Sequence, residues 1–185
     1  MTLRRFVFVT HKWMGLASSV VLSIAGVTGA MLVWPQVLPT QWAVGAWHEN
    51  LTLGRPGWFV VLLATAASVA LQASGVVLWW KSRRLRVRTD AGLWRFAFDL
   101  HGSTGVVALV VMLVIGATAL GRVVTRQVPV PESVARVVSS LHTTRDFPEV
   151  VKAVYAVSSL GFLLQGATGL VIWWKPTRAP ARAER

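Results

Sequence analysis

The four histidines of this 185-residue chain are the residues best suited to chemistry, because the chain contains no cysteine. Iron–sulfur clusters, thiolate metal sites and cysteine nucleophiles are therefore excluded, and imidazole remains as the plausible metal ligand. Two histidines on facing helices can supply both axial ligands of a haem iron. The spacing of the four histidines then decides whether such sites are predicted: they are His11, His48, His101 and His142.

An internal duplication makes two of these histidines equivalent. The pattern Phe-x-Phe-x-x-His-x-x-x-Gly occurs at residues 6–15 and again at residues 96–105, so His11 corresponds to His101. At the same offset, Gly26-x-Thr28 matches Gly116-x-Thr118. Such self-similarity along a chain is typical of a repeated structural unit.

The remaining two histidines form the second equivalent pair. Residues 74–81, SGVVLWWK, match residues 168–175, TGLVIWWK. Carrying this offset backwards along the chain aligns His48 with His142. All four histidines therefore fall into two pairs, one member of each pair in each repeat.

Four uncharged, mainly apolar stretches must position these histidines. The chain is 54% apolar and only 14% charged, whereas about a quarter of the residues in a soluble domain are charged. A helix needs roughly 20 apolar residues to cross a bilayer, and a closed barrel would need alternating apolar and polar residues. The sequence therefore predicts an all-α, polytopic membrane protein with a bundle of four transmembrane helices, at Trp13–Trp34, Gly57–Trp80, Leu100–Gly121 and Ala153–Trp174.

The duplication predicts how these four spans are arranged within a single membrane domain, residues 1–185. Repeat one covers residues 1–81, repeat two covers residues 91–175, and a basic cytoplasmic tail follows at 176–185. Each repeat holds two spans, so the two repeats are parallel and related by an axis along the membrane normal. We expect His11 to face His101 near one membrane surface, and His48 to face His142 near the other.

The distribution of cations predicts the orientation. The net charge is +12, and cytoplasmic loops carry an excess of Lys and Arg. Thirteen of the 19 cations lie on the side that also holds both termini, which we therefore expect to be cytoplasmic. They are Arg4, Arg5, Lys12, Lys81, Arg83, Arg84, Arg86, Arg88, Arg95, Lys175, Arg178, Arg182 and Arg185.

Glycines and cations around the histidines favour haem as the ligand. Gly15 and Gly105 follow the first histidine pair at i+4, on the same helix face, where they leave room for a porphyrin; close helix packing is the alternative reading of these glycines. Haem propionates need cations at the membrane edge. The candidates are Lys12, Arg4, Arg5 and Arg95 on the inner side, and Arg55 and Arg145 on the outer side.

The outer pair is predicted to lie outside the membrane spans. Pro56 and Pro148 are expected to open the second and fourth helices at their first position. His48 and His142 would then lie on the preceding loops or interfacial turns, close enough to the outer edge to bind a haem. Surface histidines near an electron acceptor are the alternative.

Other chemistries find little support in the sequence. The seven carboxylates are scattered, so no acid–base pair within the spans is predicted. There is no phosphate-binding loop after a strand and no HExxH motif. Two alternatives stay open: a haem-free membrane subunit or assembly factor, and a metal-ion permease that uses the histidines as transient ligands.

The sequence also resembles the PepSY-associated transmembrane family, which includes haem-containing bacterial inner-membrane reductases of ferric siderophores. The resembling segments are residues 11–16 (HKWMGL), 99–101 (DLH), 141–145 (LHTTR) and 168–174 (TGLVIWW). Thr144 departs from the family's usual Gly, and Gly102 stands where a basic residue is common. The outer connections, about 35–56 and 122–148, are too short for the extracytoplasmic domain of larger relatives.

The resemblance and the histidine pairs lead to the same hypothesis, a membrane b-type cytochrome with two haems b. His11 and His101 would ligate one iron, with Gly15 and Gly105 beside it, and His48 and His142 the other, with Arg145 nearby. Electrons would pass from a cytoplasmic reductant or quinol to a periplasmic acceptor, such as a ferric siderophore or a partner protein. The expected partners also include the lipid bilayer but no nucleic acid, and whether the chain is itself a ferric-chelate reductase stays open.

Overall fold

A computed structural model describes residues 2–81 and 84–174, and these residues form helices and connecting turns without a strand. The predicted tail at 176–185, together with Lys175 and Arg83, lies outside the described residues. The helices are α1 (Leu3–Leu32), α2 (Gln41–Asn50), α3 (Gly54–Trp79), α4 (Leu93–Val107), α5 (Leu109–Gln127), α6 (Glu132–Thr143) and α7 (Glu149–Trp173), with a short 3₁₀ turn at Pro35–Val37.

Four of these helices, α1, α3, α5 and α7, are long and apolar enough to cross a membrane. Their large apolar side chains point outward, as Leu63, Val110 and Val157 do at 69%, 70% and 70% exposure. The buried positions are instead dominated by small residues, among them Ser19 and Ser68. This inverted distribution is expected where lipid replaces water and small residues let helices approach closely. The chain is thus a multi-pass, all-helical membrane protein.

The third predicted span differs from a single helix over Leu100–Gly121. Helix α4 ends and α5 begins at Ala108, which has φ −87° and ψ −2°. The Ala108 N–H still donates to the Thr104 carbonyl, at 2.9 Å, and the Met112 N–H donates to the Ala108 carbonyl, at 2.9 Å. The hydrogen bonding therefore continues across the break, and α4 carries His101 directly into α5.

The outer connections contain short helices rather than loops or turns. His48 lies in the last turn of α2 and His142 in the last turn of α6. The residues after these helices, Leu51 and Thr144, adopt left-handed conformations with φ 55° and 52°. A left-handed residue commonly ends a helix, and glycine adopts this conformation most easily. Both short helices therefore present a histidine at their C-terminal end.

The prolines do not stand at the first position of the spanning helices. Helix α3 begins at Gly54, so Pro56 is its third residue, and Pro148 is the N-cap of α7. Both sites are compatible with proline because the first N–H groups of a helix have no intrahelical acceptor. The two prolines therefore lie at the starts of α3 and α7, as predicted, but the prediction that each occupies the first helical position was wrong.

The most extensive helix–helix contact in the described residues is between α1 and α7. A Cβ at Gly26 would overlap the carbonyl oxygen of Ser159 in α7, and a Cβ at Gly166 would lie 2.8 Å from Ser23 Oγ in α1. Helix backbone therefore requires glycine at Gly26, whereas an alanine at Gly166 would require the Ser23 side chain to move. This contact joins repeat one to repeat two.

Candidate functional site

The structure brings the repeat-equivalent histidines together in two pairs. The ring centroids of His11, on α1, and His101, on α4, lie 6.3 Å apart with the ring planes at 85°. Those of His48, on α2, and His142, on α6, lie 6.2 Å apart with the planes at 41°. Each pair joins the two repeats, as the duplication predicts.

In the pair His11 and His101, called the inner pair, each ring is hydrogen-bonded by a hydroxyl on the second spanning helix of the same repeat. His11 Nδ1 lies 2.8 Å from Ser74 Oγ on α3. His101 Nδ1 lies 3.0 Å from Thr168 Oγ1 on α7. Ser74 and Thr168 are themselves repeat equivalents, so the two rings are bound in the same way.

In the outer pair, hydroxyls of the spanning helices hold the two rings. His48 Nδ1 lies 3.2 Å from Thr28 Oγ1 and 3.0 Å from the Ala25 carbonyl oxygen, both on α1. His142 Nδ1 lies 3.4 Å from Thr118 Oγ1 on α5. Thr28 and Thr118 are again repeat equivalents.

The hydroxyls that contact the inner histidines also have backbone acceptors, which favours one tautomer of these histidines. Ser74 Oγ donates to the Leu71 carbonyl at 3.1 Å, and Thr168 Oγ1 donates to the Leu164 carbonyl at 2.7 Å. A hydroxyl that donates to its backbone carbonyl can only accept from its histidine, and in that arrangement Nδ1 carries the proton. Nε2 is left with a free lone pair, the form in which imidazole binds a metal.

The same reasoning applies to the outer histidines. Thr28 Oγ1 donates to the Ile24 carbonyl at 2.6 Å, and Thr118 Oγ1 donates to the Val114 carbonyl at 2.6 Å. The Ala25 carbonyl can only accept, which gives His48 a second reason to carry its proton on Nδ1. All four histidines thus keep Nε2 available as a ligand.

The electrostatic surroundings keep the outer histidines neutral. Burial lowers the pKa of His48 below its ordinary value, although the Ala25 carbonyl and Glu49 act in the opposite direction. Burial, followed by the charges of His48 and Arg122, lowers the pKa of His142 to about 4. Neutral imidazole is the ligating form, so this pair needs no deprotonation to bind a metal at neutral pH.

Glycines lie against both inner rings, although the sequence reasoning missed them. A Cβ at Gly75 would lie 3.7 Å from His11 Cε1, and a Cβ at Gly169 would lie 3.7 Å from His101 Cε1. The signal was available, because these glycines follow the histidine-binding hydroxyls in the matched segments at 74–81 and 168–175.

Close packing does not demand the two predicted glycines. A Cβ at Gly15 would make only an ordinary contact, 3.7 Å, with Leu71. A Cβ at Gly105 would lie 3.4 Å from Gln165 Nε2, which is the end of a flexible side chain. Helix packing therefore gives a poor account of Gly15, and room for a ligand beside the inner histidines remains its better explanation.

A cavity of about 220 Å³ lies at the outer pair and extends inward between the spans. Its walls include His48 and His142, the glycines of the two Gly-x-Thr segments, and two arginines at the end of α5. The sequence analysis did not select these arginines, Arg122 and Arg126. The sequence did offer a signal for them, because Arg122 and Arg126 are spaced i, i+4 at the end of α5, the helix that precedes α6 with its His142.

Several predicted cation sites have other roles or positions. Arg145 is exposed and does not line this cavity. Arg95 pairs with Asp99 at 3.1 Å, and the Arg55 guanidinium lies 5.9 Å from the Phe59 ring centroid. Lys12 Nζ lies 4.9 Å from the Trp13 ring centroid.

The buried carboxylate of Asp99 fixes the segment that leads into the inner site. Its oxygens accept from Arg88 Nε at 2.8 Å and bind Arg95 at 3.1 Å, and its side chain is 7% exposed. Two guanidinium groups neutralise the carboxylate, which makes its burial tolerable. Asp99 therefore anchors the connection between α3 and α4 to the start of α4, two residues before His101.

The donor set limits what the histidine pairs can hold. Within the described residues, no group of three or more His, Asp or Glu side chains is arranged to bind a metal ion. A bare zinc site takes three or four protein ligands, whereas a haem iron takes only its axial ligands from the protein. Two imidazoles with free Nε2 atoms fit the second case.

Comparison with known families gives one match. The model of the PepSY-associated TM region matches residues 37–128, just under half of the chain. The matched range contains His48 and His101, whereas His11 precedes it and His142 follows it. Comparisons with curated proteins and with solved structures gave no match.

Proposed function

We propose that this chain is a haem-binding member of the PepSY-associated transmembrane family, a b-type cytochrome that carries electrons across the bacterial inner membrane. His11 and His101 would ligate one haem, and His48 and His142 a second. Both termini would be cytoplasmic. The proposal extends a family match over residues 37–128 by the geometry of the histidines.

The separation of the rings is the observation that carries this proposal. With a metal–nitrogen bond of about 2.0–2.1 Å and about 1.1 Å from nitrogen to ring centre, two imidazoles on opposite sides of one metal ion have centroids roughly 6.3 Å apart. The centroids in this structure lie 6.3 Å and 6.2 Å apart. Two histidine pairs therefore have the spacing needed for axial ligation.

The hydrogen bonds to Nδ1 support the same function. A ligating histidine usually donates its other ring N–H to an acceptor that fixes the ring's orientation. Here four hydroxyls, on Ser74, Thr168, Thr28 and Thr118, fill that role. An interfacial histidine in a haem-free subunit would need neither the uniform tautomer nor a facing partner.

The two pairs lie at opposite ends of the spans, which suits transmembrane electron transfer. Each bound haem would supply a one-electron carrier whose potential depends on its ligands and on burial. The bilayer core is about 30 Å thick, so one carrier near each surface shortens the distance from donor to acceptor. A cytoplasmic reductant or quinol would be the donor, and a periplasmic partner or ferric siderophore the acceptor.

A metal-ion permease fits the described residues less well. Transported cations need neutralising or oxygen-rich ligands, and no three-ligand cluster occurs in residues 2–81 and 84–174. Asp99, the buried carboxylate, is already paired with Arg88 and Arg95. The histidine pairs are therefore better suited to a ligand that supplies most of the metal's coordination itself.

Visible spectroscopy of the detergent-purified protein tests this proposal. We expect a low-spin b-type spectrum, oxidised and after dithionite reduction, with two haems per chain. His11→Ala or His101→Ala should remove one haem, and His48→Ala or His142→Ala the other. Each pair serves as the matched control for the other pair.

Two results would contradict the proposal. Colourless protein purified from haem-replete cells would exclude a cytochrome. Full haem content with an unchanged spectrum in both His48→Ala and His142→Ala would exclude the outer site and leave one haem at the inner pair.

A further inference from the structure

Two arginines form a cationic wall of the outer cavity. Arg122 and Arg126 lie one turn apart near the end of α5, and both line the cavity that contains His48 and His142. Arg122 is half-buried and Arg126 is exposed. Their charges act on the imidazole of His142, which places both guanidinium groups close to the histidine pair.

Neither guanidinium group has an ion-pair partner in the described part of the chain. The side chains of Arg122 and Arg126 form no hydrogen bond or salt bridge there, unlike those of Arg88, Arg95 and Arg136. Glu49 also lines the cavity and its charge acts on Arg122, but one carboxylate beside two guanidinium groups leaves one positive charge over, and it forms no ion pair with either arginine within the described ranges. The cavity wall therefore carries an excess of positive charge.

Membrane topology does not explain this excess. Arg122 and Arg126 lie at the end of the bundle opposite the arginine-rich connection between α3 and α4, where the positive-inside rule predicts few cations. Like charges at i and i+4 also repel each other, and a half-buried guanidinium loses hydration without gaining an acceptor. An anion held between them would relieve both penalties.

We propose that Arg122 and Arg126 form a carboxylate-binding site at the mouth of the outer cavity. Guanidinium groups bind carboxylates through paired, charge-assisted hydrogen bonds. The inference rests on the proposed function in one respect: the carboxylate would belong either to a haem propionate at the outer pair or to an anionic ligand that reaches it from outside. Arg122, rather than the exposed Arg145, would then be the main anchor.

The two sources of the carboxylate are distinguished by two ligands. The full-length protein in detergent is titrated with haem b and with haem b dimethyl ester, in which both propionates are esterified. In a parallel titration, citrate is added to the haem-loaded protein and its binding is followed calorimetrically. The variants are Arg122→Gln, Arg126→Gln and Arg122→Lys, and Arg136→Gln, an exposed residue of α6, is the control.

If the carboxylate is a propionate, Arg122→Gln weakens haem binding at the outer site by about ten- to a hundredfold. The same variant then binds the dimethyl ester as the unchanged protein does, and Arg122→Lys falls between. If the carboxylate belongs to a free ligand, haem and its ester bind equally, and Arg122→Gln weakens citrate binding instead.

The carboxylate site is overturned if haem is not preferred over its ester and citrate binding is absent or unaffected by both arginine variants. That result leaves the cytochrome proposal intact, provided that His48→Ala still removes a haem. Conversely, a protein that takes up no haem refutes the cytochrome proposal, and the citrate titration alone then decides the carboxylate site.

Discussion

Substituting the repeat-equivalent glycines Gly26 and Gly116 by alanine should have very different consequences. At Gly26, on α1, the new Cβ would overlap the carbonyl oxygen of Ser159 and lie 2.9 Å from Phe162 Cβ. At Gly116, on α5, the nearest atoms are side-chain atoms, Ser68 Oγ at 3.0 Å and Val69 Cγ2 at 3.2 Å. The obstacle at Gly26 is the backbone of a helix, whereas the side chains that obstruct a Cβ at Gly116 can move.

The expected magnitudes follow from what must shift. A carbonyl oxygen within α7 cannot move alone, so Gly26→Ala must push α1 and α7 apart, at a cost of about 1–3 kcal/mol of unfolding free energy. At Gly116, a shift of a few tenths of an ångström by Ser68 and Val69 relieves the contact, so we expect a loss below about 1 kcal/mol. The outer site should suffer too, because Ala25 and Thr28, which hold His48, lie beside Gly26.

Equilibrium unfolding of the purified proteins in mixed detergent–SDS micelles measures this difference. We expect Gly26→Ala to lose at least about 1 kcal/mol more than Gly116→Ala, and to lose haem from the outer pair first. Equal losses in the two variants, or a larger loss at Gly116, would refute the claim that the backbone contact at Gly26 is harder to relieve than the side-chain contact at Gly116.

Three further predictions concern the histidine partners and the outer connections. Ser74→Ala and Thr168→Val should each weaken haem binding at the inner pair by about 10- to 100-fold, measured by haem titration; unchanged affinity would show that these hydroxyls do not orient the rings. Thr52→Gly should raise the unfolding free energy by about 0.5–1 kcal/mol, because Thr52 is exposed with φ 62°; a loss in the same unfolding assay would contradict this. The haem-free protein should lose stability as the pH falls from about 6.5 towards about 4, because the pKa of His142 is lowered in the folded state and the unfolded chain binds the proton first. His142→Gln should flatten this dependence of the unfolding free energy on pH. An unchanged profile in that variant would count against a buried neutral imidazole.

The pairing of the histidines was predictable because it depends on symmetry. Parallel repeats bring equivalent residues to the same depth, so matching His11 with His101 and His48 with His142 required only the sequence offsets. The ring separations of 6.3 Å and 6.2 Å agree with that prediction. Their role as haem ligands stays a prediction.

The identity of the ring partners was only partly predictable. The Ala25 carbonyl accepts from His48 Nδ1 at 3.0 Å, and the backbone at Gln165 and at Ile115 interacts with His101 and His142 respectively. The hydroxyls of Ser74 and Thr168 lie within the repeated segments, but sequence alone does not reveal which helix faces which histidine. Helix rotation about its own axis decides such contacts.

The cation sites were the least predictable part. Arg145 stands only three positions after His142, yet the left-handed Thr144 turns the chain there, and Arg145 lies exposed. Arg122 is 20 positions away from His142 but lines the same cavity. Proximity along the chain was therefore a poor guide at a site built where α2, α5 and α6 converge.

The sequence by itself determined the class of the molecule and the order of its parts. Hydrophobic length fixes the number of spans, and duplication pairs the histidines, because both are properties of local composition and repetition. Only the tertiary structure decided which helices pack against each other, which hydroxyl bonds to which histidine ring, and which arginines face the outer pair. Those features depend on how helices rotate and pack against each other, and small shifts in register at Gly26 or Ser74 change them without changing the hydrophobic pattern.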